Sequence, residues 1–142
     1  MSAEAERLVR RWMDEVLNQG QLALVDELFA ASFVNHSDPE QAPGPAGVRQ
    51  GVTRLREAFP DLHITIEDLV TQDDCVGWLY SGRGTHTGVF AGIEPTGRSV
   101  AYSGAVFGRV AHGQLVEGRG VVDLLPVLRQ LGAITIQSAS GS

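Results

Sequence analysis

From Glu4 to Asn18 the apolar residues Leu8, Val9, Trp12, Met13, Val16 and Leu17 recur at three- and four-residue steps, which puts all six on one stripe of an amphipathic helix. Gln19-Gly20 ends it, because glycine enters the left-handed C-cap conformation without a Cβ penalty. A second short helix is predicted with Leu22, Val25, Leu28 and Phe29 inward, and Ser37 to Pro45, with three prolines, reads as a loop. A third helix starts near Pro45, repeats Val48, Val52, Leu55 and Phe59, and stops at Pro60-Asp61. Its Gly47 and Gly51 weaken it intrinsically, so tertiary packing must hold it.

After Asp61 the period becomes two. Strands are predicted at Leu62–Val70, Cys75–His86, Ser99–Val110 and Gln114–Asp123, separated by polar or glycine-rich turns, with a closing helical turn or two over Leu124–Gly132. Helices followed by an antiparallel meander give an α+β class. One-striped helices can be buried only against one face of the sheet. The interior glycines Gly77, Gly82, Gly84, Gly104, Gly108, Gly118 and Gly120 mark bends or close approaches in that sheet. The expected fold is a cone-shaped, strongly curved antiparallel sheet capped by N-terminal helices, with a pocket at its wide end. A single domain over residues 1–136 and a flexible tail over 137–142 complete the plan.

The Val110 to Leu115 hairpin fixes which side chains sit together. A two-residue turn at His112-Gly113 demands positive φ at the histidine, whereas a three-residue loop with a glycine bulge asks it only of Gly113 and is preferred on that ground. It pairs Arg109 with Leu115, Phe107 with Glu117, Ala105 with Arg119, and Ser103 with Val121. Arg109, Glu117, Arg119 and Asp123 then share a face with Phe107, Leu115 and Val121, and this polar and apolar mixture is the expected pocket face. Val116, Gly118, Gly120 and Val122 form the outer one.

Glu117 and Arg119 suit a solvated cross-strand pair as well as a pocket. Asp123 ends a strand before Leu124-Leu-Pro126, where a helix N-cap and an acid/base group would use the same residue. His36, in Phe33-Val-Asn-His36, and His86, in Gly84-Thr-His-Thr-Gly88, lie at element ends typical of pocket rims, where imidazole can act as acid, base or donor. Trp78 and Tyr80 share a strand face with Gly82, Gly84 and His86, so large rings stand beside missing side chains, as a wall for a flat ring system would.

Composition narrows the chemistry. All 11 basic residues among the 142 are Arg, which excludes Schiff-base lysine, pyridoxal and Walker-lysine mechanisms. With 17 acidic residues the net charge is −6, and no Arg cluster is dense enough for nucleic acid. The lone Cys75 forms no intrachain disulfide and fits a reducing compartment. No apolar run approaches the roughly 20 residues of a membrane span, and the acidic N-terminus is unlike a signal peptide, so a cytoplasmic location without membrane association is expected. Neither a histidine pair at metal-ligand spacing nor a glycine-rich phosphate motif occurs, so no metal and no cofactor are expected.

The segments Glu27 to Ala30, Phe33 to His36, Gly47 to Gln50, Ala58 to Asp61, Gly84 to Gly88, Pro95-Thr-Gly97, and Arg109…Gly113…Glu117…Asp123, in this order over about residues 5 to 132, resemble the SnoaL-like polyketide cyclase family. The resemblance implies the nuclear-transport-factor-like cone and a cofactor-independent intramolecular aldol closure with Asp123 as general acid/base. It also implies pocket roles near Asn35, His36 and Arg109, and a homodimer. Three departures reline the cavity: Arg119 stands where a tryptophan is usual, Leu79-Tyr80 where an arginine-tryptophan pair is usual, and Val106 where a polar residue is common.

The expected partner is a small hydrophobic or polycyclic substrate. A methylene between two carbonyls is acidic enough for a carboxylate in an apolar cavity to deprotonate. Asp123 and His36 are the catalytic candidates, with Phe33, Asn35, Trp78, Tyr80, His86, Arg109 and Arg119 contacting substrate. An epoxide hydrolase using Asp123, Arg109 or Arg119, and Glu117 to activate water is the first alternative. A noncatalytic binding or dimerisation module is the second. The dimer is expected through the sheet face carrying Val116, Gly118, Gly120 and Val122.

Overall fold

A computed structural model describes residues 2–135. The first helix, α1 (Ser2–Arg11), continues into a π-helical segment over Trp12–Asn18. The apolar pairs Leu8/Val9, Trp12/Met13 and Val16/Leu17 repeat every four residues, longer than the α-helical period of 3.6, and the wider π turn absorbs the drift. Met13, Val16 and Leu17 are all buried as a result. Gly20, at φ 73°, closes the segment. Asn18 ties it to the sheet: its side-chain amide donates to the Ile64 carbonyl at 2.9 Å and its carbonyl accepts the Ile64 N–H at 2.6 Å.

A short 3-10 turn leads into α2 (Val25–Leu28), and then β1 (Phe29–Asn35) begins where helix had been expected to include Phe29. Helix α3 (Pro45–Ala58) starts behind Gly44, at φ 79°, with proline in its first turn. The strands β2 (His63–Gln72), β3 (Cys75–Thr85), β4 (Ser99–Ala111) and β5 (Gln114–Val122) follow, and α4 (Leu124–Gln130) ends the ordered plan. The predicted tail over 137–142 lies outside the described residues. No helix among the described residues is long and apolar enough to cross a membrane.

The sheet order is β1-β5-β4-β3-β2. The last four strands form the expected antiparallel meander, but β1 pairs parallel to β5, so the sheet is mixed. Strands β1 and β2 remain edges, and the cone is open along one side. Helices α1 and α3 lie across the concave face, over a core that includes Val9, Val16, Val52, Phe59, Val76 and Trp78.

The hairpin between β4 and β5 corrects the expected register. The chain takes the two-residue turn: Ala111 pairs with Gln114, and His112 and Gly113 both have positive φ, 53° and 74°. The bulge sits beyond the turn, so Val110 pairs with Leu115 but Arg109 with Glu117, Phe107 with Arg119 and Ala105 with Val121. Crossing it turns Leu115 inward, where it is 2% exposed, while Glu117 and Val121 point out.

Candidate functional site

The concave face of the sheet and the helices above it enclose a cavity of about 320 Å³. Trp12, Met13 and Leu17 of the π segment, Phe29 and Phe33 of β1, and Val48, Val52 and Leu55 of α3 form its apolar walls. Its floor is built by β3, β4 and β5. Trp78 and Tyr80 alternate inward along β3, and Tyr102, Val106 and Gly108 of β4 with Gly118, Gly120 and Val122 of β5 complete it. Glycine leaves room there: a Cβ at Gly118 would face the Phe33 ring at 3.5 Å, and one at Gly120 would touch Val106 at 3.4 Å.

This corrects the expected pocket face. Arg109, Glu117 and Arg119 do share a face of β4 and β5, as predicted, but it is the convex one; Glu117 and Arg119 still border the cavity through the glycine-rich stretch of β5, whereas Arg109 does not. Glu117 accepts from Arg109 Nε at 2.8 Å on one carboxylate oxygen and contacts His36 Nε2 at 2.8 Å on the other. Arg109 reaches on to Asp74 at 3.2 Å and lies over the exposed Phe107 ring. Gly118, Gly120 and Val122, expected outside, face the cavity. The convex surface instead exposes Val70, Leu79, Phe107 and Val121. Aliphatic and glycine positions belong inside because the helices bring no polar partners to the concave face, whereas the charged residues satisfy one another in water.

The remaining candidates separate. Phe33, Asn35, Trp78 and Tyr80 line the cavity, and Arg119 borders it between two glycines. Asn35 is held on both ends, donating to Gln41 at 2.9 Å and accepting the Ser37 N–H at 2.9 Å. His36 is not among the lining residues, and it pairs with Glu117, which borders the cavity from β5. His86 is fully buried elsewhere, beside Phe59, where its Nδ1 accepts the Thr96 N–H at 3.2 Å. Nδ1 also lies 3.0 Å from the Thr96 hydroxyl while Nε2 has no partner among the described residues, and the contacts with Thr96 make His86 an anchor for the connection between β3 and β4. Asp123 follows cavity-lining Val122 but is itself exposed and not among the lining residues, which corrects the expected apolar setting for its carboxylate; it occupies the N-cap position of α4, yet its side chain makes no capping hydrogen bond. Its carboxylate has no hydrogen bond or ion pair among the described residues, and its backbone N–H is bonded to Ser103 at 3.0 Å.

Tyr102 is the cavity residue that sequence reasoning missed. The available signal was a repeated tripeptide, Tyr80-Ser81-Gly82 and Tyr102-Ser103-Gly104. Antiparallel pairing sets each tyrosine against the other's glycine. Burial pushes both phenols upward in pKa, Tyr102 further because Tyr80 lies near it, so both stay neutral at physiological pH. Among the described residues no cluster of His, Cys, Asp or Glu could cage a metal ion.

With this geometry in view, the profile described as SnoaL-like polyketide cyclase matches residues 7–131. The chain belongs to the SnoaL-like polyketide cyclase family. IdmH from Streptomyces antibioticus, a candidate polyketide cyclase, is 31% identical, with a TM-score of 0.76 over 89% of this chain and 97% of its own. TsrD from Streptomyces laurentii is 24% identical with a TM-score of 0.87 over 93% of this chain and 97% of its own, a likeness of fold. AclR from Streptomyces galilaeus, a candidate hydroxylase, shares the fold at 24% identity and a TM-score of 0.84, covering 98% of this chain and 87% of its own. No curated protein matches the chain in sequence. Membership in the SnoaL-like family and its cone of helices and curved sheet accord with the resemblance read from the motifs.

Proposed function

We propose that this SnoaL-like protein is a cofactor-independent enzyme that binds a flat, apolar, enolisable ketone and moves protons on it, closing a ring by intramolecular aldol addition. One observation carries the reading: an aromatic-walled cavity reaches Val122, and the next residue is a carboxylate that neither caps its helix nor pairs with a cation. Asp123 would remove a proton from a methylene flanked by two carbonyls and return one to the new alkoxide, so the group ends in its starting state. The epoxide-opening alternative is less well supported. Its acid Glu117 is held by His36 and by Arg109, one of its two arginine options, on the convex side, and the other option, Arg119, borders the cavity without an acidic partner among the described residues.

The test uses deuterium exchange. An aromatic β-keto ester is incubated with the protein in heavy water, and loss of the methylene proton signal is followed by NMR. Asp123→Asn should slow protein-dependent exchange at least about 100-fold, the usual scale for a positioned proton-transfer group. Because no cap bond is lost, stability should change by less than about 0.5 kcal/mol. Unchanged exchange in the folded variant would remove Asp123 from the mechanism and favour a noncatalytic binding role. The exposed Val70, Leu79, Phe107 and Val121 stripe further supports a homodimer through the convex face.

A further inference from the structure

The polar groups around the cavity are unevenly satisfied. At its rim they are already paired: Asn35 with Gln41 and the Ser37 N–H, Ser37 with the carbonyl and N–H of Gly120 at 2.8 and 2.6 Å. The Glu117 carboxylate is bound on the convex side by Arg109 and His36. On the floor the opposite holds. The Tyr80 and Tyr102 hydroxyls have no hydrogen bond to the protein among the described residues, and the indole N–H of Trp78, one step along the same face of β3, is buried without an acceptor. Neutral donors therefore exceed acceptors where the walls are most apolar.

The positions of these phenols are built rather than incidental. In the register Tyr80 opposes Gly104 and Gly82 opposes Tyr102. Each ring lies across the neighbouring strand in the space its opposite glycine vacates: a Cβ on Gly104 would collide with the Tyr80 hydroxyl, and one on Gly82 would stand 2.8 Å from the Tyr102 hydroxyl. The two rings meet edge to face at 6.3 Å and 87°, which fixes each against the other. A pair of rigid, protonated, unbonded phenols in an apolar chamber leaves two donors to be satisfied by whatever enters it.

We propose that Tyr80 and Tyr102 are the specificity-determining donors of the cavity, taking the carbonyl oxygens of a flat aromatic ketone and holding that charge as it grows in the enolate. This deepens the ring-closing reading and rests on it for the class of ligand. It assigns the oxygen-binding role to residues of the floor, and leaves proton removal to the carboxylate at the mouth. Neutral phenols suit the task because they donate without presenting a competing anion and need no reorganisation as the oxygen becomes negative.

The test separates the donor role from proton transfer by reading binding alone. Affinities for 9-fluorenone and for fluorene, the same ring system without the carbonyl, are measured by calorimetry on the whole protein. The wild type should prefer fluorenone by about tenfold, and the carbonyl stretch of bound fluorenone should fall in frequency. The double substitution Tyr80→Phe with Tyr102→Phe should erase the preference and return the stretch, while fluorene binding stays within about twofold. Gly104→Ala, which keeps both hydroxyls but drives the Tyr80 phenol from its seat, should lower the preference and guards against a double variant that fails to fold. Equal binding of the two probes by the wild type, no binding of either, or a preference that survives loss of both hydroxyls would overturn the proposal. Those outcomes are independent of whether Asp123→Asn slows exchange, so either assignment can fall without the other.

Discussion

Gly47→Ala and Gly51→Ala make the same chemical change one helical turn apart in α3, and they should move stability in opposite directions. Intrinsic propensity favours Ala over Gly in a helix interior by about 0.8–1.0 kcal/mol. At Gly51 nothing stands within 4 Å of the added Cβ, so the gain is kept whole. At Gly47 the new Cβ would fall on the Ala42 carbonyl oxygen and stand 2.9 Å from both the Ala42 carbonyl carbon and Gln41 Cγ. Backbone cannot rotate aside as a side chain can, so either the loop before α3 or the first turn of α3 must move. Overpacking costs about 1–3 kcal/mol, and the upper half of that range less the propensity gain leaves a net loss of about 1–2 kcal/mol. In a domain of this size the melting midpoint should rise by about 2–4 °C for Gly51→Ala and fall by about 3–6 °C for Gly47→Ala, read by circular dichroism at one scan rate. A Gly47→Ala midpoint at or above wild type would refute the claim that the loop carrying Gln41, and through it Asn35, is wedged against α3.

Two further outcomes follow from particular contacts. Asp61, just beyond α3, accepts from the Thr85 N–H and hydroxyl at 2.7 Å each, and these bonds lower its pKa; its stabilisation is therefore fully present above the ordinary carboxylate value near pH 4 and fades as pH falls through the lowered one, so Asp61→Asn should flatten the acid limb of stability measured by urea unfolding between pH 5 and about 2, and an unchanged limb would refute it. On the convex face Val121 is 73% exposed, and Val121→Arg should turn a dimer of 15.2 kDa chains into monomers by light scattering at micromolar concentration, whereas a wild type already monomeric there would end the dimer proposal.

Helices and the meander were legible because their signals are local. The periods at Leu8–Leu17 and Val48–Phe59, the Gly20 cap, the Pro45 start and the alternation after Asp61 all name their own elements. Strand β1 was hidden because Phe29–Asn35 becomes a strand only by pairing parallel with β5, some eighty residues away. The hairpin register was missed because His112 tolerates φ 53°, so the argument against a two-residue turn weighed a modest strain too heavily. The pocket face was misassigned for a different reason. Trp78 and Tyr80 share the face that the alternation of β3 predicts, but the thirteen-residue link from His86 to Arg98 gives no register between β3 and β4, so nothing in the sequence joined that face to Val106, Gly108 and Gly118 rather than to Arg109 and Glu117.

The distribution of charge bears on which reaction the proposed site favours. A step that creates a full ion pair inside, such as water activation by an Arg/Asp set, requires charged partners on the concave face to offset desolvation, and here Arg109 and Glu117 are tied to each other on the convex side. An enolate spreads its charge over a conjugated ketone and needs only neutral donors and one exchanging proton. The floor supplies phenols, and one residue beyond the lining the exposed carboxylate of Asp123 stands without a capping bond. The volume of about 320 Å³ lies at the lower end of the roughly 300–1,000 Å³ typical of ligand pockets, which suits two or three fused rings more than an extended chain. On the proposed reading, the ring system that is already closed sits on Trp78, Tyr80 and Tyr102, and the reacting side chain lies toward Val122 and Asp123. Chemistry at the mouth then requires the carbonyl anchor on the floor to set the register of the substrate, which makes the phenols a determinant of where the new bond forms as well as of what binds.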